Sequence, residues 1–277
     1  MSFQTFDTVV IGAGAIGSAV GMGLGKLSSG SVAVVDFDLE GTWSSSELNA
    51  GGVRATWNQP VNVLASKLSI DYFASVASDV GYRDAGYLWL CRDEDLKART
   101  ASLELWKKLK WEVGVLNVSE IRVRYPFLDR TDDLAGAVLG VRDGLINPNL
   151  LKTHFRDQAK RAGVEFKDRL KLVSAERNPN DSYWRLTFES FAKGLETEAR
   201  KSVLLDETRS PERVEIRCQN VVNCAGAWAS DVAKLFEVDC PSYAVRRQIS
   251  MFDCRTLDLS PYGMIIDTSG VYFHSEA

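Results

Sequence analysis

A glycine-rich segment near the start of the chain has the residue types of a phosphate-binding turn. Residues 12–17 read GAGAIG and directly follow the apolar run FDTVVI at residues 6–11. Glycines at this spacing allow a tight turn, a close approach of a pyrophosphate to the backbone, and packing of the next helix on the preceding strand. The first turn of that helix offers unpaired N–H groups and a partial positive charge. The pattern predicts a dinucleotide site formed by Gly12, Gly14, Ala15, Ile16 and Gly17.

Asp36 completes this pattern at the end of the next strand. Residues 31–36 read SVAVVD, a second buried strand that ends on the carboxylate. This group can accept hydrogen bonds from the adenosine ribose, and its charge disfavours the 2′-phosphate of NADP. A strand, a helix and a strand joined by a short crossover predict parallel pairing in a right-handed βαβ unit. The alternatives are a glycine turn without a ligand and a simple surface carboxylate, and the loop alone does not distinguish FAD from NAD.

The elements that position these residues follow from the apolar pattern along the chain. Helices are predicted from the glycine turn to about residue 27, over 60–76 and 93–112, from about 147 to 161, and over 227–236. Strands are predicted at 86–91, 164–166, 170–174, 184–189 and 220–224, and strands alone are expected after residue 241. Residues 126–149 are turn-rich, and the charged stretch 193–213 predicts a surface hairpin and loop.

The composition excludes several classes of protein. The chain has 277 residues, a net charge of −4 and 45% apolar residues, as a soluble globular protein would. The slight acidity argues against binding of nucleic acid. With two histidines and no CxxC pair among five cysteines, we expect no metal site and no histidine-dependent triad. The uncharged run 8–25 contains six glycines, so we expect a phosphate loop rather than a membrane span, and a cytoplasmic chain with reduced thiols.

Five further segments carry a resemblance to a known family. They are GTWSSSELNAGGVRATW at 41–57, INPNLLKTHF at 146–155, NVVNCAGAWASDVAKL at 220–235, YAVRRQISMF at 243–252 and IIDTSGVYF at 265–273. In this order they resemble the D-amino-acid-oxidase-like FAD-dependent oxidoreductases, which include sarcosine oxidase, glycine oxidase and dimethylglycine dehydrogenase. The last segments resemble the branch called FAD-dependent oxidoreductase domain-containing proteins, some implicated in respiratory complex I assembly. The resemblance covers nearly the whole chain. It implies an α/β fold with a Rossmann-like FAD-binding domain and a second, antiparallel-sheet α+β substrate domain, incomplete at the C-terminus.

The resemblance also implies which residues contact FAD. The ADP half would be held by the glycine turn and Asp36, with the adenine near the backbone of Leu172. Ala225 and Gly226 would pass close to the cofactor, and a side chain at Gly226 would clash with it. The flavin side would be lined by Ser45, Ser46, Gly51, Gly52 and Arg54.

The residues implied in catalysis are Arg54, Tyr272 and Phe273. An arginine near the flavin can stabilise its reduced, anionic form. The alternative for Arg54 is a surface salt bridge. Phe273 stands where sarcosine oxidase has a substrate-contacting tyrosine, and Tyr272 is its neighbour, so either ring could wall a substrate pocket or pack in the core. The segment Arg246–Gln248 is a candidate for binding a substrate carboxylate or for a strand edge.

Three departures from the family pattern matter. Asn49 stands where some relatives attach FAD to a histidine, so we expect non-covalent FAD. Trp57 stands near the place of a carboxylate-binding arginine of sarcosine oxidase, which argues against a sarcosine-like substrate. The chain also resembles a family member that lacks its C-terminal quarter. Loss of the final strand and helix of the FAD domain would expose a sheet edge, so we expect weak FAD binding.

These observations predict an FAD-binding domain over 1–81 and 148–240 and a substrate domain over 82–147 and 241–277. The resemblance implies oxidation of the C–N bond of an amino acid or secondary amine, a small-molecule substrate, by hydride transfer to flavin. The alternative is a catalytically weak or inactive flavoprotein fold that serves as an assembly factor for a protein partner, or a truncated relic. A third alternative, an NAD-dependent dehydrogenase, explains the glycine loop but none of the later motifs.

Overall fold

The computed structural model describes residues 4–41, 44–177, 182–190 and 212–275. The strands are β1 Gln4–Ile11, β2 Val32–Val35, β3 Gly52–Val53, β4 Tyr87–Cys91, β5 Val113–Leu116, β6 Gly136–Gly140, β7 Gly144–Leu145, β8 Glu165–Lys167, β9 Leu170–Arg177, β10 Trp184–Ser190, β11 Glu212–Asn223, β12 Met264–Ile266 and β13 Tyr272–Phe273. The helices are α1 Ala15–Leu27, α2 Pro60–Ser75, α3 Ala77–Val80, α4 Asp93–Thr100, α5 Leu103–Lys108, α6 Val118–Arg124, α7 Pro148–Arg161 and α8 Ala229–Lys234.

The chain divides into two compact units. Unit 1 contains residues 1–49 and 148–248, and unit 2 contains residues 50–147 and 249–277. Residues 50–81, which the sequence analysis assigned to the first domain, therefore belong to unit 2. The reason is α2, whose buried Val63 and Ile70 pack against Trp106, Trp111 and Val138 of that unit. Residues 241–248, predicted in the second domain, belong to unit 1.

Unit 1 contains a six-stranded sheet in the order β8-β2-β1-β11-β10-β9. β1 pairs in parallel with β2 and with β11, and β2 pairs in parallel with β8. The predicted parallel βαβ unit is thus confirmed. β2 is buried at every position because both faces of this sheet are covered, as is typical of parallel sheets. One face packs on α1 and α7 through Val10, Val34 and Ala159, and the other contains a core around Phe188 and Ile216.

Unit 2 contains a five-stranded sheet in the order β13-β12-β4-β6-β5. All its strand pairs are antiparallel except β12 with β4. Because side chains alternate between the two faces of a strand, β4 serves two cores. Leu88 and Leu90 pack with Ile121 of α6 on one face. Trp89 lies on the other face, together with Val138, in the cluster that includes α2.

Several predicted elements differ from the observed ones. The helix predicted over 93–112 is divided into α4 and α5 by residues 101–102, and α5 buries Trp106, which is 3% exposed. β5, α6 and β6 were not predicted, and β6 lies entirely within the stretch 126–149 that we expected to be turns. Nearly all of the predicted hairpin at 193–213 lies outside the described residues. Within the described ranges, no helix is long and apolar enough to cross a membrane.

The strand expected at 243–252 is absent from the structure, which shows an exposed segment without regular secondary structure there. Its apolar residues do alternate, with Tyr243 and Val245 followed by Ile249 and Met251, and all four are exposed. A strand also requires a hydrogen-bonded neighbour. No described strand pairs with this segment, so the alternation alone does not produce one.

Two glycines of α1 provide a matched test of the close approach at its start. A Cβ at Gly17 would overlap the carbonyl group of Gly12, whereas a Cβ at Gly23 meets no atom within 4 Å. We expect Gly17→Ala to lower the free energy of unfolding by about 1–3 kcal/mol, because the backbone must shift. We expect Gly23→Ala to raise it by about 0.5–1 kcal/mol, because alanine loses less entropy in a helix. Urea unfolding measures both, and equal stabilities would contradict the packing described for Gly17.

Candidate functional site

The glycine turn joins β1 to α1 in close contact with the end of β11. Gly12 has a positive φ of 102°, and a Cβ there would overlap the carbonyl oxygen of Cys224 and come within 3.1 Å of the Cα of Ala225. Gly12 and Ala225, both predicted to contact the cofactor, are thus brought together in unit 1. Gly12 is required here for both its φ and its proximity to another backbone.

The start of α1 presents N–H groups that the helix itself cannot satisfy. The first intrahelical bond runs from Ser18 N–H to the carbonyl of Gly14 at 2.9 Å. Ala15 N–H donates to the hydroxyl of Ser46 at 2.9 Å, which places one of the predicted serines at the turn. Ile16, whose side chain is 71% exposed, and Gly17 lie in the first turn, where N–H groups have no acceptor within the helix. These groups and the helix dipole can bind a phosphate.

Asp36 lies beside the same turn. Its two carboxylate oxygens accept hydrogen bonds from the N–H groups of Ala13 and Asp38. Burial raises its pKa, while both of these hydrogen bonds act in the opposite direction. Each carboxylate oxygen can accept more than one hydrogen bond, so this arrangement leaves acceptor capacity for ribose hydroxyls.

The other residues of unit 1 that were expected near the cofactor lie in different surroundings. Leu172 has its side chain in the core of the sheet, although β9 begins close to Asp36, whose carbonyl accepts the N–H of Leu170 at 3.0 Å. Gly226 has a φ of +54°, and a Cβ there would meet no protein atom within 4 Å. Its glycine is therefore required for backbone conformation, and no crowding by the protein explains it. Ser45 lies in the same loop as Ser46.

A buried lysine that the sequence analysis missed holds this loop. Lys152 of α7 is 4% exposed, and its ammonium donates to the carbonyl of Glu40 at 2.7 Å and to the carboxylate of Glu47 at 2.5 Å. The loop that contains Ser46 is therefore bound to α7 at two points, Glu40 and Glu47. The available signal was a lysine within the INPNLLKTHF motif, on the face of α7 that also buries Phe155 and Ala159.

Arg54, the charged catalytic candidate, lies in unit 2 against three aromatic rings. The carbon Cζ of its guanidinium is 4.2 Å from the ring centroid of Trp57, 4.7 Å from that of Trp89 and 5.6 Å from that of Tyr87. Such cation–π contacts stabilise the charge without neutralising it. Burial raises the pKa of Tyr87, and the nearby Arg54 opposes this shift. Among the residues that the structure describes, no carboxylate lies within ion-pair distance of Arg54.

The aromatic residues around Arg54 are themselves fixed. The indole N–H of Trp57 donates to the carbonyl of Arg54 and to the hydroxyl of Ser66, both at 3.0 Å. The carbonyl of Trp57 accepts the indole N–H of Trp106 at 2.8 Å. The Arg99 guanidinium lies 3.6 Å from the Trp89 ring centroid, and burial lowers its pKa.

The remaining predicted residues of unit 2 fall into two groups. Gly52 packs under Tyr87, because a Cβ there would come within 2.6 Å of the tyrosine hydroxyl, and the carbonyl of Gly51 accepts the N–H of Ile146 at 2.8 Å. Tyr272 pairs with Ile266, which contacts Tyr87 in a common cluster, so Tyr272 lies on the Arg54 face of the sheet.

Phe273 lies on the opposite face of that sheet. It packs against the core that contains Leu88 and Leu90. Its neighbour Tyr272 is half exposed, so of these two candidates the structure brings only Tyr272 to the face of Arg54. Arg246, Arg247 and Gln248 are exposed on the irregular segment of unit 1. No group of three or more histidine, cysteine or acidic residues in the described ranges could hold a metal ion.

Comparison with known proteins identifies the family. A family model described as FAD dependent oxidoreductase (DAO) matches residues 7–277. The chain belongs to this family. The similar proteins include FAD-dependent oxidoreductase domain-containing protein 1 of Xenopus laevis, which is 24% identical over 305 residues covering 98% of this chain and 58% of the relative. The Drosophila melanogaster homolog is 26% identical over 174 residues, or 59% of this chain and 34% of the relative. The chain therefore spans less than two thirds of these family members.

Solved structures agree with the family fold. L-proline dehydrogenase from P. horikoshii superimposes with a TM-score of 0.75 at 18% identity, covering 99% of this chain and 68% of that chain. Glycine oxidase from Geobacillus kaustophilus gives a TM-score of 0.71 at 18% identity, covering 97% and 68%. The resemblance and the α/β fold class expected from the sequence are confirmed. The family description names FAD. The glycine turn, the N–H groups of the first turn of α1 and the partly buried Asp36 carboxylate fit the ADP half of that cofactor.

Two aspartates of unit 1 are expected to change the pH dependence of stability in opposite directions. Burial raises the pKa of Asp36 above its usual 3.8, so its contribution to stability falls as the pH rises from 3.8 to the raised pKa. The hydroxyl and N–H of Ser31 lower the pKa of Asp7, so its contribution falls as the pH drops from 3.8 to the lowered pKa.

Unfolding free energies of the wild type, Asp36→Asn and Asp7→Asn from about pH 2 to 7 test this. The stability difference between the wild type and Asp36→Asn should decrease as the pH rises. The stability difference between the wild type and Asp7→Asn should increase as the pH rises from the lowered pKa of Asp7 to 3.8. Parallel curves for the three proteins would contradict both assignments.

Proposed function

We propose that this chain is an FAD-dependent oxidoreductase that oxidises the C–N bond of an amino acid or secondary amine, with FAD bound non-covalently. When bound, FAD supplies the hydride acceptor for this oxidation. The observation that carries the proposal is Arg54, a guanidinium held by three aromatic rings without a carboxylate partner among the described residues. The similar folds named as a proline dehydrogenase and a glycine oxidase support the C–N bond as the target.

Unit 1 would hold the ADP half. The N–H groups of the first turn of α1 would bind the pyrophosphate, and Asp36 would accept from the ribose. Ser46 would keep the loop at residues 44–47 against the turn through its bond to Ala15 N–H, and Lys152 would hold that loop from α7. Asn49 supports non-covalent binding, because an amide cannot form the bond that a histidine forms with a flavin.

Arg54 would supply the positive charge that the oxidation requires. A fixed cation in a site with little water stabilises an anion that develops during reaction, and it can orient a substrate carboxylate. An ion pair with a protein carboxylate would weaken both effects. The aromatic rings of Trp57, Tyr87 and Trp89 avoid this, because they hold the guanidinium in place and leave its charge available. Tyr272, on the same sheet face, would add an aromatic wall.

Flavin spectroscopy tests the cofactor. The visible absorption spectrum of the purified chain, and of the supernatant after heat denaturation, reports bound and released FAD. We expect released FAD if the chain is purified loaded, and quenching of added FAD fluorescence if it is purified empty. Failure to take up FAD would contradict the proposal, as would flavin that remains attached to the denatured protein.

Anaerobic bleaching of the flavin tests the chemistry. We expect at least one member of a panel of amino acids and secondary amines to reduce the bound flavin. Arg54→Met should slow this reduction about 10²–10³-fold, the usual effect of losing one electrostatic contact to developing charge.

Arg92→Met is the matched control, because Arg92 belongs to the same unit but forms an exposed ion pair with Asp133 at 2.7 Å. It should reduce at nearly the wild-type rate. An FAD-loaded chain that no amine reduces would overturn the proposal and favour the assembly-factor alternative. Equal rates for the two arginine variants would show that Arg54 has no role in the proposed reaction.

A further inference from the structure

A buried carboxylate binds the backbone of the residue that follows Arg54. Asp143 belongs to the turn between β6 and β7 and is 0% exposed. It accepts three hydrogen bonds, from Ala55 N–H at 2.7 Å, from the Thr56 hydroxyl at 2.7 Å and from the Trp111 indole N–H at 3.2 Å. A buried carboxylate is costly unless such donors surround it, and desolvation raises the pKa of this group.

The surroundings are built for this carboxylate. A Cβ at Gly140 would overlap a carboxylate oxygen of Asp143, so only glycine fits opposite it. Ala55 is 0% exposed and Thr56 is 6% exposed, so both donors are buried with the acceptor. The Trp111 ring that supplies the third donor is 2% exposed. Water therefore cannot easily replace any of these bonds.

These bonds fix the two residues that follow Arg54 along the chain. The Arg54 side chain forms no ion pair within 4 Å among the described residues; it contacts three aromatic rings, hydrogen-bonds to Tyr87 and attracts Asp143 electrostatically. None of these contacts fixes its backbone, so the position of Arg54 also depends on what holds residues 54–57. The carbonyl of Arg54 accepts the indole N–H of Trp57. The carbonyl of Trp57 is in turn bound by Trp106. Asp143 is thus the buried carboxylate that anchors the backbone of this segment.

We infer that Asp143 is a positioning residue for Arg54: by binding Ala55 and Thr56 it sets the backbone from which the guanidinium reaches its aromatic rings. The effect of Asp143 on catalysis rests on the proposed function of Arg54. The effect of Asp143 on the position of residues 54–57 does not rest on it, so the two effects are tested separately.

The first experiment needs neither cofactor nor substrate. In the ¹⁵N-labelled chain, the indole N–H signals of Trp111 and Trp57 are assigned with Trp111→Phe and Trp57→Phe. Asp143→Asn should shift both signals, the first through its direct bond and the second because the carbonyl of Arg54 moves. Asp133→Asn is the matched control, because it changes an exposed aspartate of the same unit, and it should shift neither.

Thr56→Val keeps the test decisive if Asp143→Asn does not fold. It removes one donor from Asp143 at nearly constant volume, and it should shift the Trp57 signal in the same direction by a smaller amount. A Trp57 signal that stays in place while the Trp111 signal moves would overturn the inference, because Asp143 would then support only the core.

The second experiment measures the catalytic consequence in the FAD-loaded chain. Asp143→Asn should slow flavin reduction by about 10- to 100-fold, since small displacements of a reacting group cost this much. The same change in an Arg54→Met background should slow it no further. Equal losses in both backgrounds would show that Asp143 acts independently of Arg54. If Arg54→Met alone has no effect, the proposed role of Arg54 fails, and the Trp57 signal still decides the positioning.

Discussion

Close contact between main-chain atoms at the end of β1 is the constraint on which unit 1 depends. Gly12 and Gly17 allow the turn, the start of α1 and the end of β11 to meet with no side chain between them. A clash between backbones cannot be relieved by a change of rotamer, so the packing tolerates little variation. The N–H groups of α1 and the carboxylate of Asp36 keep their positions as a result. The phosphate binding proposed for this unit would therefore depend on backbone geometry more than on side chains.

Unit 2 holds its charged groups in two different ways. Arg54 contacts three aromatic rings, which attract a cation, and its hydrogen bond to Tyr87 opposes the rise in the pKa of that tyrosine. Asp143 is held by three donors that satisfy its acceptors in a site closed to water. The first arrangement leaves the positive charge of Arg54 available to a ligand, whereas in the second the carboxylate of Asp143 holds the backbone. The two arrangements meet at residues 54–56, because Asp143 binds Ala55 and Thr56, which directly follow Arg54.

The sequence was sufficient for elements that short-range pattern determines. β1 and β2 are continuous apolar runs, and the glycine turn has a fixed spacing, so the βαβ unit was predicted almost residue by residue. The break between α4 and α5 was not, because it depends on burial of Trp106 by distant parts of the chain. For the segment 243–252 the local pattern was misleading. Its apolar residues alternate as in a strand, but no described strand pairs with it.

The candidate site divides in the same way. Arg54, Gly52 and Asp36 were proposed as site residues because they lie in motifs. Of the rings around Arg54, Trp57 ends the motif at 41–57, but Tyr87 and Trp89 come from β4, so no single local pattern contains all three. Lys152 and Asp143 were missed because charged residues are normally exposed, and only the tertiary partners reveal that these two are buried. Tyr272 and Phe273 could not be ranked, because the face of an edge strand is set by its register with β12.

The parallel pairing of β1 with β11 has a consequence for the order of folding. Thr8 pairs with Asn220, and Tyr87 of unit 2 pairs with Met264, so each sheet joins segments that are far apart in the sequence. The two units are also interleaved along the chain, since each is made of two separate segments. Contacts of such long range make folding slow. During synthesis, one hydrogen-bonding edge of β1 must wait until β11 has left the ribosome, and in that interval it is an open template for pairing with other strands.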